Sequence, residues 1–226
     1  MNKLTIIVTY YNAEEYITGC LESIKQQRTQ DFNLIIVNDG STDQSKKLMD
    51  EAIKDYDKNI RFIDLDENSG HAHARNIALE EVETPYFMFL DADDELASYA
   101  ITFYLEKFNN TDGLIAPIHS FTTQRPQFVD LDRVRVEYFN AKGNINSFLR
   151  KQSACNIIFR TAIVKAHHIR FNENLNTYVD WSFVLEYMKY VNKFVRIFNF
   201  PFYFRGEVYD PFETLTLSEQ NFDILF

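Results

Sequence analysis

The chain has 226 residues, 46% of them hydrophobic, and a formal net charge of −10 at pH 7. A chain of this length can bury most of its apolar surface, so we expect one large domain. The acidic balance disfavours a nucleic-acid partner, because neutralising phosphates requires clustered cations and the sequence has no lysine- or arginine-rich run. No segment approaches the roughly 20 apolar residues that span a bilayer.

Two cysteines, Cys20 and Cys155, lie in apolar runs and are interpreted as small buried hydrophobes. They form neither a disulfide framework nor a redox motif, which favours a reducing compartment. The N-terminus runs into a strand-like segment without the features of a signal peptide. We therefore expect a cytoplasmic protein. The apolar C-terminal end suggests a piece of a longer chain, whose other regions would supply any peripheral contact with the inner face of the membrane.

Strand and helix signals alternate through the first half of the chain. Continuous apolar runs predict buried strands at residues 4–9, 34–37, 60–65 and 86–90. Capping boxes at Asn12–Glu15 and Ser41–Gln44 predict two helices, and a third is expected to begin near Ser69. Right-handed crossovers between such strands predict an α/β fold, with a mostly parallel central sheet flanked by helices.

The second half of the chain has weaker periodicity. A helix is expected from about residue 95 to 108, whereas residues 124–143 mix charges, proline and aromatic residues without a clean period. A strand signal returns at residues 156–159. A helix is then expected at about 178–192, followed by an ordered apolar segment at 194–204.

Polar residues are concentrated where the four predicted strands end. Ligands of parallel α/β sheets bind beyond the carboxyl ends of the strands, so these segments are expected to share one edge. They are residues 9–12, 38–42, 67–70 and 91–95.

Four carboxylates stand within the five positions Asp91–Glu95. Such a concentration of negative charge favours a hard divalent cation, Mn²⁺ or Mg²⁺, held by Asp91 and Asp93. The Asp-x-Asp triplet alone is weak evidence, because it also begins at Asp55, Asp64 and Asp130. Its position beside the other polar segments distinguishes the triplet at Asp91.

The loops after the second and third strands suggest a nucleotide site. Asp39 ends its strand facing the same edge as Thr9 and Tyr11, where a carboxylate can accept from the imide N–H of uracil. The start of the third helix attracts phosphate, and Arg75 could add a bidentate contact. His71 and His73 do not share a helical face, so we interpret both as solvated polar residues rather than metal ligands.

Together these segments resemble the inverting GT-A glycosyltransferases of family 2, common in bacterial cell-envelope and capsule synthesis. The resemblance covers about residues 4–95 and rests on TYYN at 9–12, NDGSTD at 38–43, NSG at 68–70, ARN at 74–76 and FLDADD at 89–94. It implies a single Rossmann-like GT-A domain. Residues 1–110 would form its nucleotide-sugar-binding half, and residues 111–226 its acceptor-binding half.

The resemblance also implies substrates and roles. The donor would be a UDP-sugar and the acceptor a hydroxyl of a glycan or polyol-phosphate polymer. Asp180 would act as the general base, Asp93 with Asp91 would hold the metal, and one displacement predicts inversion. The residues implied to bind the substrate or nucleotide are Thr9, Tyr11 and Asp39 at the uridine, Arg75 at the diphosphate, Asp91 at the ribose or sugar, and Asn68, Ala92, Trp181 and Arg205.

Two departures from the family pattern bear on activity. Val179 stands where the family usually has a glutamate before the base, so a second carboxylate for positioning the acceptor is missing. The segment Tyr203–Glu207 is similar to the flexible segment of wall-teichoic-acid glycosyltransferases, although the histidine and serines that often follow it are absent.

The sequence also bears on three classes of protein other than a transferase. A catalytically silent module that binds nucleotide-sugar inside a larger polymer-synthesis protein remains open. A haloacid-dehalogenase-type phosphatase is excluded by placement, because its aspartates follow the first strand, which here ends in Thr9-Tyr10-Tyr11. Dinucleotide-dependent oxidoreduction is disfavoured because the chain has no G-x-G-x-x-G motif.

Overall fold

The structure, a computed structural model, describes residues 2–56, 59–107, 110–120, 133–140, 153–198 and 202–206. The strands are β1 (Leu4–Tyr10), β2 (Phe32–Asn38), β3 (Ile60–Asp64), β4 (Tyr86–Asp91), β5 (Glu95–Leu96), β6 (Gly113–Ile115), β7 (Ile118–Ser120), β8 (Val136–Asn140), β9 (Ile157–Arg160), β10 (Lys193–Ile197) and β11 (Tyr203–Arg205). The helices are α1 (Ile17–Lys25), α2 (Ser45–Ile53), α3 (His71–Glu80), α4 (Ala100–Lys107), α5 (Thr161–Ala166) and α6 (Val179–Met188).

The strands form a large sheet and a small one. The large sheet has eight strands in the order β3-β2-β1-β4-β9-β6-β10-β8, and the small sheet has the order β5-β11-β7. Strands β3, β2, β1 and β4 run parallel, whereas β9 is antiparallel to both β4 and β6. The predicted α/β fold with a mostly parallel central sheet is confirmed, and it forms a single domain.

The core lies on both faces of the large sheet. In β1, four apolar side chains are fully buried: Leu4, Ile6, Ile7 and Val8. A strand covered on both faces requires such a continuous apolar run, which is why the sequence predicted this strand directly. Beyond β4, aromatic rings fill the space between the sheet and α6, and Phe171 stacks on Phe183 with ring centroids 4.1 Å apart.

Both predicted capping boxes are wrong. Helix α1 begins at Ile17 and α2 at Ser45, and their N-cap residues, Tyr16 and Gln44, make no side-chain capping bond. Asn12 instead has a φ of +47°, its Oδ1 accepts from the Thr42 amide at 2.8 Å, and its own amide donates to Ser41 Oγ at 3.1 Å. The two polar loops therefore bond to each other, and this tertiary contact replaces the local caps.

The second half is broken into more elements than the periodicity predicted. The helix expected at 95–108 begins only at Ala100, because Glu95 and Leu96 pair with β11. The ordered segment expected at 194–204 divides between β10 and β11, which belong to different sheets. Within the irregular region 124–143, residues 136–140 form edge strand β8, and the remainder lies largely outside the described residues.

Gly40 allows the loops after β2 and β3 to approach closely. Its φ is +66°, and a Cβ at this position would lie 2.4 Å from the backbone carbon of Glu67. Only glycine avoids both the left-handed strain and this overlap. The contact brings two of the predicted polar segments together at the carboxyl edge of the sheet.

The part of the chain that the structure describes contains no helix with the length and apolarity needed to cross a membrane.

Candidate active site

Asp39 joins the loop after β2 to the start of α3. It is 3% exposed, and its Oδ1 and Oδ2 accept from the amides of Ser69 at 2.8 Å and Gly70 at 2.9 Å. Each carboxylate oxygen has a second lone pair, so the predicted contact with a uracil N–H is compatible with this arrangement.

The other predicted nucleotide contacts lie around this edge. Thr9 stands in register with Asp91 across the β1–β4 pair, and Tyr11, beyond the end of β1, is 46% exposed. Asn68 is exposed in the loop before α3, whereas Ala92, between Asp91 and Asp93, is 7% exposed.

Arg75 is a buried bridge between two carboxylates. Its side chain is 5% exposed, and Nη2 lies 2.6 Å from Asp91 Oδ1, while Nη1 pairs with Asp180 Oδ1. The guanidinium also lies 5.3 Å from the ring centroids of both Phe89 and Phe171. Burial would lower the pKa of Arg75, but the two carboxylates raise it well above its ordinary value. The predicted contact with a diphosphate remains a prediction.

Asp180 is held by three donors near the start of α6. Oδ2 accepts from Ser153 Oγ and from the Ala154 amide, both at 2.9 Å, and Oδ1 accepts from Arg75. Burial alone would raise the pKa of Asp180, yet Arg75 and the two other donors lower it below the ordinary value. The side chain is 25% exposed. Asp180 is therefore an ionised carboxylate whose side chain is partly exposed to solvent.

Asp91 has a second partner that the sequence did not indicate. The thiol of Cys155 donates to Asp91 Oδ2 at 3.0 Å. Burial, followed by the charge of Asp91, raises the pKa of Cys155, so the thiol stays neutral and can donate. The interpretation of both cysteines as buried and free is confirmed, but the apolar run around Cys155 gave no signal of this contact.

The acidic loop after β4 gathers three carboxylates. One oxygen from each of Asp91, Asp93 and Asp94 lies within 4.8 Å of the others. An all-oxygen donor set of this size fits a hard divalent cation such as Mg²⁺ or Mn²⁺. The structure thus brings together the two aspartates predicted to hold a metal.

Asp94 has a different environment from its neighbours. It is 1% exposed, and its oxygens accept from Tyr203 Oη at 2.5 Å and from the Gly206 amide at 2.7 Å. Burial, together with the charges of Asp91 and Asp93, raises the pKa of Asp94 to about 7. Arg205, which was predicted to contact the substrate or nucleotide, lies in the sequence between these two partners of Asp94. Sequence reasoning missed the role of Asp94 because its partners, Tyr203 in β11 and Gly206 directly after it, are more than 100 positions away.

Residues 5–168 match the model of glycosyl transferase family 2, and the chain therefore belongs to that family. It is 99% identical over 226 residues to a teichoic acid poly(glycerol phosphate) polymerase of Staphylococcus epidermidis, a match that covers 100% of this chain and 31% of that protein. It is 29% identical over 201 residues to the poly(ribitol-phosphate) beta-N-acetylglucosaminyltransferase TarS of Staphylococcus aureus, covering 82% of this chain and 32% of TarS. The chain thus spans about a third of the length of these two relatives.

Solved structures support the same fold. Residues 1–349 of S. aureus TarS in complex with UDP superpose with a TM-score of 0.75 at 25% identity, covering 90% of this chain and 60% of that one. A mannosyltransferase of Pyrobaculum calidifontis in complex with GDP-Man and Mn²⁺ shares the fold, with a TM-score of 0.64 at 16% identity over 85% of this chain and 53% of the other. The predicted family and the GT-A fold are confirmed.

Proposed function

We propose that this chain transfers a sugar from a UDP-sugar to a hydroxyl of a glycan or polyol-phosphate acceptor, with inversion, in the synthesis of a teichoic-acid-like cell-envelope polymer on the cytoplasmic side. Membership of glycosyl transferase family 2 supports the transferase reaction. The UDP complex of the TarS structure supports the donor class, and the polymerase name of the nearly identical relative supports the pathway.

One observation carries the proposal. Arg75 contacts both Asp91 and Asp180, so a single guanidinium holds the proposed base beside the acidic loop. In an inverting displacement the acceptor hydroxyl and the leaving diphosphate lie on opposite sides of the anomeric carbon. The proposed base would serve the acceptor hydroxyl and the proposed cation would serve the diphosphate, and Arg75 positions both.

Asp180 is proposed as the general base. The bonds from Arg75, Ser153 and Ala154 keep its carboxylate ionised, and its partial exposure lets an acceptor hydroxyl approach. Proton transfer to a positioned carboxylate typically contributes ~10²–10⁴ to the rate. Since the one base serves a single displacement, the product is expected to have the inverted configuration.

Asp93, with Asp91, is proposed to hold Mn²⁺ or Mg²⁺. A bound cation would neutralise charge developing on the departing diphosphate. On the donor side we propose that Thr9, Tyr11, Asp39 and Asn68 contact the nucleotide. Ala92 and Arg205 would line the sugar and diphosphate of the donor, and Trp181, next to Asp180, would contact the substrate. Residues 1–110 would then form the donor half of the domain and residues 111–226 the acceptor half.

The alternative is a catalytically silent nucleotide-sugar-binding module of a larger polymer-synthesis protein. Two observations favour it: Val179 stands where the family usually has a glutamate, and the nearly identical relative is about three times longer and is named for polymerising glycerol phosphate. Donor binding with no turnover toward any acceptor would support this module.

Metal-dependent turnover of UDP-glucose, UDP-galactose and UDP-N-acetylglucosamine tests the choice. The enzyme predicts UDP release that requires Mn²⁺ or Mg²⁺ and is lost in Asp93→Ala. The matched control is Asp55→Ala, which alters another Asp-x-Asp triplet at an exposed position. Equal loss in both variants, or turnover that chelation leaves unchanged, would contradict the proposed role of the acidic loop.

A further inference from the structure

Tyr178 adopts an unusual backbone conformation directly before α6. Its φ and ψ are 59° and 22°, in the left-handed region. The described part of the chain has four non-glycine residues with positive φ: Asn12, Asn110, His168 and Tyr178. Asparagine enters this region comparatively readily, whereas a bulky aromatic residue there is an outlier.

Burial does not compensate for the strain at Tyr178. The residue is 54% exposed, and its side chain makes no capping bond to the helix that it precedes. Strained residues of this kind cluster at functional sites, where the side chain has a use that offsets its cost. The position of Tyr178, two residues before the proposed base, indicates where that use lies.

Tyr178 and Trp181 place two aromatic rings on either side of Asp180 in the sequence. Their ring centroids are 6.4 Å apart and the planes are inclined by 54°. Because the two rings flank Asp180 in the sequence, a molecule whose hydroxyl gives its proton to Asp180 can lie beside them. Aromatic faces bind the apolar C–H face of a pyranose, so the pair can fix the ring whose hydroxyl reacts.

We propose that Tyr178 and Trp181 form a stacking platform for a neutral sugar ring of the acceptor, an inference that rests on the function proposed above. Local charge favours a sugar ring over a phosphate. Residues 172–182 contain two acidic residues, Glu173 and Asp180, and no lysine or arginine. The guanidinium of Arg75, which contacts Asp180, is buried and already paired with both Asp91 and Asp180. It is therefore less able to offset the charge of a phosphodiester, whereas an uncharged ring needs no such partner.

Trp181 is the single tryptophan of the chain, so intrinsic fluorescence reports on this platform directly. The probe is a neutral disaccharide, cellobiose or N,N′-diacetylchitobiose, titrated with UDP and Mn²⁺ present. A saturable change in Trp181 emission is expected. Tyr178→Phe should keep the affinity within about twofold, and Tyr178→Asn should weaken it about 3- to 10-fold, the usual range for one aromatic contact.

The melting temperature of a Tyr178 variant shows whether the Tyr178 ring serves binding or the stability of the fold. Tyr178→Asn keeps a residue that tolerates the left-handed conformation, so its Tm should equal or exceed that of the wild type by about 2 °C while saccharide affinity falls. His168→Asn is the matched control, because it relieves the same conformation at the end of α5. It should leave saccharide binding unchanged. A lower Tm in Tyr178→Asn, with unaltered binding, would overturn the platform.

Two further readouts distinguish this inference from the proposed function. Slow hydrolysis of the UDP-sugar without acceptor should be the same in wild type and His168→Asn, while transfer to the disaccharide by Tyr178→Asn should show a raised KM. Absence of all turnover, with saccharide binding that still depends on Tyr178, would count against the transferase and support the platform. Emission changes caused by a glycerol phosphate oligomer and not by either disaccharide would overturn it.

Discussion

The hydroxyl of Tyr203 donates to Asp94 Oδ2 at 2.5 Å, although the two residues are 109 positions apart. The bond ties β11 to the acidic loop after β4, and the Gly206 amide adds a second bond to the same carboxylate. Asp94 therefore anchors β11 of the small sheet at the proposed cation site, which explains why Asp94 is buried while Asp91 and Asp93 are partly exposed.

Tyr203→Phe is predicted to destabilise the domain. The change leaves a buried carboxylate with one donor fewer, a loss that typically costs ~1–3 kcal/mol. A decrease in Tm in a thermal melt would show it. Tyr190→Phe is the control, because it removes a longer bond of 3.3 Å to Glu186 on α6. Equal melting of the two variants would show that Asp94 does not depend on Tyr203.

Ser153→Ala is predicted to shift the pH dependence of turnover. The Ser153 hydroxyl is one of the groups that lower the pKa of Asp180. Removing it moves that pKa upward, so the acidic limb of kcat/KM should move to higher pH while the plateau near neutral pH changes little. Ser182→Ala, which loses a bond to the Val179 carbonyl, should leave the limb in place. If the acidic limb does not shift in Ser153→Ala, the group that titrates in the kcat/KM profile is not Asp180.

Asp112→Asn is predicted to reduce stability in a pH-dependent manner. Asp112 Oδ2 accepts from the amides of Asn192 and Lys193, and Oδ1 accepts from Arg160. Burial opposes ionisation, but these donors lower the pKa of Asp112 below its ordinary value. Its stabilisation is therefore complete above the pKa of the unfolded state and is lost as the pH falls through the folded value.

The difference in Tm between wild type and Asp112→Asn should accordingly be largest near neutral pH and shrink in acid. Melts from about pH 7 to pH 3 measure it, with exposed Asp55→Asn as the control. A difference that stays constant across this range would contradict the assignment.

Gly40→Ala and Gly19→Ala are predicted to have opposite effects. A Cβ at Gly40 overlaps the backbone of Glu67 and requires a left-handed alanine, so a loss of about 2 kcal/mol or more is expected. At Gly19, inside α1, the nearest atom is 3.1 Å away at the flexible end of Glu95, and alanine is the better helix former by roughly 0.5–1 kcal/mol. Denaturant melts of both variants test the contrast.

Features fixed by local pattern could be predicted from the sequence, and features fixed by distant contacts could not. The apolar run at residues 4–9 has one physical explanation, a strand covered on both faces, and the sequence therefore predicted β1. Asn12 and Glu15 have the spacing of a capping box, but the Asn12 side chain accepts a hydrogen bond from the distant Thr42 amide instead. Asp91, Asp93 and Asp180 were selected by motif. The bridge through Arg75 and the contact with Cys155 depend on how β4, α3 and β9 pack, which no local window encodes.

The central claim is that Asp180 removes the proton of the acceptor hydroxyl beside a cation held at Asp93. The direct measurement is the rate of sugar transfer by Asp180→Asn with saturating UDP-sugar, Mn²⁺ and acceptor, alongside UDP affinity from the same preparation. Loss of the base should lower the rate ~10²–10⁴-fold with UDP affinity preserved. Transfer at the wild-type rate by Asp180→Asn, with the fold intact, would contradict it.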